Sequence, residues 1–239
     1  MNYIITQYPH CGFGNRILYY NNLRQATASE SFYSVPWEGM EHFEGNLSGD
    51  VATDGTDIIS DVAFTTFPFC LGELFFRNRN IPTRDIFKLK SKPTIEGKSV
   101  AIHFRGTDFF SWNPDAVLDT DYYLNALEEV DADKYYLFTD DLTLPSYQRV
   151  LQELNGKVVI QGNSRSARTN YIQDFSTMTE CDYIISSPST FCICAGFIGK
   201  HKKIIHSEKW VKDRVHKVDN FWYDLYNGGN EDYSLYKLI

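Results

Sequence analysis

Four short stretches of the chain carry residue types that could hold or turn over an anionic ligand. His103-Phe104-Arg105-Gly106-Thr107-Asp108 follows the apolar run Val100-Ala101-Ile102. An arginine there offers a forked, permanently charged donor that suits a diphosphate. Asp108 could orient that arginine, accept a proton from a hydroxyl, or bind a ribose; an ordinary strand-end salt bridge would use the same residues. Gly12-Phe13-Gly14-Asn15-Arg16 sits between an apolar stretch and a helical one. Glycines let a backbone approach a ligand closely, and a helix amino end attracts phosphate. The stretch is not G-x-G-x-x-G, because Ile17 takes the third glycine's place. A plain tight turn accounts for it as well.

Ser186-Ser187-Pro188-Ser189-Thr190-Phe191 precedes an apolar helical run. Its hydroxyls are either helix caps or, with the free amides of a helix start, a phosphate cradle. Asp174 lies among Ile172, Phe175 and Met178 within an expected helix, so it is either a buried acceptor in need of a donor or a residue on the solvated side. Asp140-Asp141 could suggest a metal, but no third carboxylate is placed by pattern, and a cap-and-loop pair is the better reading.

The elements that must position these groups form an alternating series. Strands are expected at Tyr3–Gln7, Ser99–Phe104, Tyr135–Thr139, Lys157–Gln161, Tyr183–Ser186 and, last, Lys203–His206. Helices are expected at Asn15–Ala28, Phe67–Arg79, Asp121–Glu129 (from an Asp/Thr cap), Pro145–Leu154, Asn170–Cys181 and Ser189–Phe197. Residues 38–60 read as a long loop with one short strand, and Pro82–Gly97 as a linker. Strands alternating with helices imply βαβ units, a parallel sheet and an α/β fold. Two domains follow: a smaller α/β lobe over 1–95, carrying the Gly-rich turn, and a doubly wound nucleotide-type lobe with a terminal extension over 96–239. Ligands of such sheets sit beyond the carboxyl ends of the strands, which is where the four stretches fall.

With 239 residues the chain can bury a core without disulfides or metals. Its 43% apolar and 23% charged residues exclude wholesale disorder. Aromatics reach 15%, enough to supply stacking surfaces for sugars or bases as well as core. The net charge of −8 disfavours nucleic acid as a partner but leaves room for a local basic pocket. Five cysteines, with no C-x-x-C and a C-I-C too tight for zinc, read as reduced thiols of a cytoplasmic protein. No signal peptide and no membrane span is expected. The sequon at Asn46 reads as chance.

Taken together, the stretches resemble the fucosyltransferase superfamily that includes the α1,2-, α1,6- and protein O-fucosyltransferases. HFRGTD resembles its HxRRxD motif, GFGNR its amino-terminal GxGNQ turn, and FTDD its F-x-S-D-D strand end. QDFSTMTECDYIISSPSTFCICAGFIG resembles the D-x-x-x-M-x-x-C-x-x-x-I-x-S-x-S-T-F-x-x-x-A stretch of the α1,2 group. The likeness spans most of 96–200 and a short amino-terminal piece.

The resemblance implies a GT-B architecture of two Rossmann-type lobes, the amino-terminal one reduced and on the acceptor side. It implies inverting transfer of fucose from GDP-fucose to a glycan hydroxyl, without a metal or other cofactor. By motif, Arg105 would hold the β-phosphate, and His103 would contact the nucleoside or its phosphates. Asp174 would accept from guanine. Ser189, Thr190 and the Phe191 amide would bind phosphate oxygens, while Gly14 and Asn15 would close over the diphosphate. A general base would be Asp108 or Asp115. One departure stands out: Gly106 replaces the motif's second arginine, so that contact is missing or comes from Arg16, Arg165 or Arg168. Another GDP-sugar, or a sugar- or nucleotide-binding module without turnover, would share these residues. A Rossmann oxidoreductase would need the third glycine and an acidic residue ending a second strand.

Overall fold

A computed structural model describes residues 2–5, 12–26, 31–49, 83–163, 171–208 and 236–239. The expected helix Phe67–Arg79, Arg165 and Arg168 lie outside them. The chain divides into two compact units, Met1–Lys90 with Arg214–Glu231, and Ser91–Asp213 with Asp232–Ile239.

In the first unit, β1 (Asn2–Ile5) and β2 (Ser31–Ser34) pair in parallel, with α1 (Phe13–Ala26) connecting them. Rings build its core. Phe13 stacks on Phe43 at 6.0 Å, Phe43 meets Phe87 edge-on at 5.0 Å, and Phe87 meets Tyr20 at 5.4 Å. The Tyr20 hydroxyl is buried and donates to the Leu47 carbonyl at 2.6 Å, so its polar tip is satisfied inside that core. The expected loop over 38–60 holds a 3-10 turn at Met40–His42 within its described part. The linker expected at Pro82–Gly97 needs correction. Thr83–Ile86 forms a short helix, α2, and Phe87 and Leu89 are buried, with Leu89 bridged to Phe43. Lys88 and Lys90 mask that alternation, and a half-buried strand-like segment reads as a charged linker.

The second unit contains β3 (Ser99–Phe104), β4 (Lys134–Thr139), β5 (Val158–Asn163), β6 (Tyr183–Ile185), β7 (Lys203–His206) and β8 (Tyr236–Leu238). All pair in parallel, in the order β5-β4-β3-β6-β7-β8. Between them run α3 (Phe109–Trp112), α4 (Thr120–Leu127), α5 (Pro145–Glu153), α6 (Tyr171–Glu180) and α7 (Thr190–Ile198). Every residue of β3 is buried, as a central strand covered on both faces requires. Asp119 starts α4 by accepting from the Tyr122 amide at 2.9 Å, the expected cap. Lys203–His206 is not the last strand, because β8 adds to the β7 edge.

The order has a consequence for function. From β3 the chain steps one way through β4 to β5, then crosses to β6 and steps the other way. Right-handed crossovers then place α4 and α5 on one face and α6 and α7 on the other, and α4 does pack on α5, and α6 on α7. The reversal falls between β3 and β6, which is the crevice where doubly wound sheets take ligands.

Candidate functional site

Parallel pairing brings the carboxyl ends of β3, β4 and β6 to one edge, and the polar groups beyond them meet there. Phe104 pairs with Thr139, so the residues that follow each strand are neighbours. Asp140, buried beyond β4, accepts from the Gly106 amide at 2.8 Å and from the Thr107 hydroxyl at 2.5 Å. Its other bond is an ion pair with an Arg105 terminal nitrogen at 2.8 Å. The second terminal nitrogen of Arg105 pairs with the exposed Asp108 at 2.7 Å. The Arg105 guanidinium also lies 4.9 Å from the centre of the Phe109 ring, a cation–π contact. Arg105 Nε is buried with no hydrogen-bond partner among the described residues.

Thr107 holds a left-handed φ of +44°. Gly106 is needed for space. A Cβ there would come within 3.0 Å of a Leu144 methyl and 3.1 Å of the Asp141 Cβ, so no side chain fits without repacking. The missing second arginine of the motif is therefore built into this loop's packing. Asp141 accepts from the Thr143 amide and hydroxyl at 2.9 and 2.6 Å, the loop half of the cap-and-loop pair.

Across the sheet reversal, His103 Nδ1 and the Ser187 hydroxyl are 2.6 Å apart, joining the end of β3 to the loop after β6. Burial, helped by the Arg105 charge, pushes the His103 imidazole down to about 3. The ring is therefore neutral near pH 7 and brings no charge to the site. Tyr122 donates to the Ser186 carbonyl at 2.7 Å and Tyr123 to the His103 carbonyl at 3.1 Å, so helix α4 fixes both strand ends from below. Ser189 occupies the position before α7 and is buried, yet its side chain makes no capping bond. The capping explanation for that serine falls away, and Thr190 and Phe191 stand in the helix's first turn.

Asp174 is buried in the first turn of α6. Burial pushes its carboxyl up to about 6, and none of the described residues donates a hydrogen bond to it. Phe191 links this helix to the histidine, with its ring 5.2 Å from Phe175 and 6.0 Å from His103.

In the first unit, Gly14 and Asn15 fall inside the first turn of α1, which begins at Phe13. Arg16 is already engaged there by Glu38, at 2.9 Å to its carboxylate and 3.2 Å to its carbonyl. Asp115 is exposed, its amide bonded to the Asn113 side chain at 3.2 Å. Among the described residues no group of three or more His, Cys, Asp or Glu gathers as for a metal, and no helix is long and apolar enough to cross a membrane. The structure gives Asp140, Thr107 and Ser187, each already part of a stretch named from the sequence, their partners across the strand ends. Asp140 had a signal, its place right after a strand, but only the strand pairing reveals its partner. A scan against protein-family models finds no match to the chain, and a search of curated proteins finds none either.

Proposed function

We propose that the second unit binds a GDP-sugar at the β3/β6 edge and that the chain is an inverting, metal-independent glycosyltransferase moving fucose from GDP-fucose to a glycan hydroxyl. The supporting observation is the His103–Ser187 contact at the sheet reversal, which ties the strand that leads into Arg105 to the loop before the α7 start that Ser189 leaves uncapped. A fixed cation near a helix start is what a departing diphosphate needs.

On this reading Asp140 keeps its grip on one arm of Arg105 and a β-phosphate oxygen replaces Asp108 on the other. Ser189, Thr190 and the Phe191 amide take the remaining phosphate oxygens. Asp174 receives the guanine N1–H and amino group, which gives a buried carboxylate the donors that the described residues do not supply. As the acceptor oxygen bonds to the anomeric carbon, the bond from that carbon to the phosphate breaks on the opposite face. The released Asp108 takes the hydroxyl proton, and GDP leaves as an anion stabilised by Arg105.

Gly106 favours one second reading, a sugar- or nucleotide-binding module of this fold without turnover, since an arginine in that place would have to push Leu144 and Asp141 aside. Calorimetric titration with GDP, against UDP, ADP and NAD, tests the nucleotide site. GDP-selective binding is the expected result, and equal or absent binding rejects it. Incubation with GDP-fucose and other GDP-sugars then separates transferase from module, because only the transferase releases GDP in the presence of a sugar acceptor.

A further inference from the structure

Immediately beyond the arginine the chain turns into α3, and this helix carries aromatic rings on the rim of the site. Phe109 and Trp112, three apart, share one side of the turn with ring centres 5.0 Å from each other. Phe109 in turn lies under the Arg105 guanidinium. Guanidinium, phenyl and indole thus make one column of contacts beside the proposed diphosphate anchor, the two rings tilted by 58° to each other, and the tryptophan is 56% exposed. The column is held firmly. The Asp108 carbonyl accepts from the Ser111 and Trp112 amides at 3.1 and 3.0 Å, and the Asn113 amide donates to the Phe109 carbonyl at 2.8 Å. Just past it, Ala116 and Leu118 are buried and anchor the segment.

We propose, building on the transferase reading, that Phe109 and Trp112 form a stacking platform for the acceptor, and that the acceptor is a neutral carbohydrate. A sugar presents an electropositive C–H face that suits the negative face of an indole, with a rim of hydroxyls around it. Along the chain, exposed carboxylates bracket the two rings, Asp108 before them and Asp115 after them. They accept from hydroxyls and repel an anionic occupant, whether a phosphorylated glycan or a nucleic acid. The same carboxylates make the rim a poor match for a lipid or for a second apolar surface. A sugar stacked on Trp112 lies two ring contacts from Arg105, next to the place where the donor's fucose would hang from the diphosphate. This assigns an acceptor contact to the nucleotide-binding unit, where the expected two-lobe division assigns the acceptor to the first.

The test uses the full chain and three neutral probes: methyl β-D-galactopyranoside, methyl α-D-mannopyranoside and N-acetylglucosamine. Saturation-transfer NMR, with and without GDP, should show transfer to at least one of them. Trp112→Ala should weaken that probe about tenfold or more, and Trp112→Phe no more than about threefold, since a flat ring is retained. Phe110→Ala, exposed but off the column, should leave it unchanged, and all three variants should bind GDP like the parent. The proposal fails if no probe binds, if Trp112→Ala binds the probe as the parent does, or if Phe110→Ala loses as much. It also fails if light scattering shows a dimer that Trp112→Ala dissolves, because the platform would then serve self-association. Trp112-dependent sugar binding without any GDP binding would sink the transferase reading and keep the platform. GDP binding without Trp112-dependent sugar binding would do the reverse.

Discussion

Helices α1 and α7 both open on small residues that follow a strand in the chain, and both read in the sequence as places for a phosphate. Their surroundings differ. At α1 the first residue, Phe13, turns its ring into the cluster of Trp37 and Phe43, and Arg16 is engaged by Glu38. At α7 the serine before the helix leaves its start uncapped, and Ser187 joins it to His103 where the strand order reverses. Residue types were nearly equivalent at the two ends. Position in the sheet, and what neighbouring elements already use, made one end part of a buried polar contact at the strand reversal and the other part of an aromatic core.

The contrast can be broken or sharpened by four measurements. Asp140→Ala should have the largest effect, costing about 3 kcal/mol in denaturant unfolding, because the Gly106 amide, the Thr107 hydroxyl and Arg105 all lose a buried acceptor. A cost under about 0.5 kcal/mol would mean the edge is not held from β4. Next comes Arg105→Ala, expected to weaken GDP by roughly 100-fold, the worth of a charged fork on a diphosphate. Calorimetry reads it, and unchanged GDP affinity would move the anion elsewhere, the start of α1 included.

Asp174 gives an intermediate, pH-dependent effect. Its folded carboxyl is raised to about 6, above the ordinary value of 3.8, so the native state holds the proton more tightly than the unfolded chain. The stability this contributes is complete below pH 4 and lost as the pH rises through 6. Asp174→Asn should therefore unfold about 2 kcal/mol less readily than the parent at pH 7.5, with no difference at pH 4. GDP affinity of the parent should fall as the pH drops below 6, while the variant stays weak and flat; parallel profiles would remove guanine from this carboxylate. The smallest effect belongs to Arg16→Ala, less than about 1 kcal/mol for a half-exposed pair, with GDP affinity unchanged. A tenfold loss of GDP would instead show that α1 takes part in the anion site.

Long apolar runs bounded by polar residues were legible in the chain. Ser99–Phe104 and Lys203–His206 are strands with the bounds their patterns predict, and α4, α5, α6 and α7 fall within two residues of expectation. Short polar strands were not: Ser31–Ser34 and Tyr236–Leu238 have too few residues to show a period and exist by pairing with a neighbour. Of the site, Arg105, Asp174 and Ser189 were visible by type and by place after a strand or near a helix start. The Asp140 clamp and the His103–Ser187 contact were not, since each depends on which strands lie side by side. Helix α3 was missed because four residues, with an arginine and glycine just before, carry no helical repeat.

Thr107 carries a last consequence. A β-branched residue at φ +44° sits about 1–2 kcal/mol above its preferred backbone, and hydrogen bonds to Asp140 and Asp108 keep it there. The loop that shapes the arginine is thus enforced by its neighbours and would not adopt this form alone. Loosening either carboxylate releases a peptide that is already uphill, so on warming the strand-end loop should let go as a local event while β3 and β4 remain paired. Thermal inactivation would then run ahead of the loss of secondary structure, and the interval between the two would measure how hard the fold works to hold one threonine.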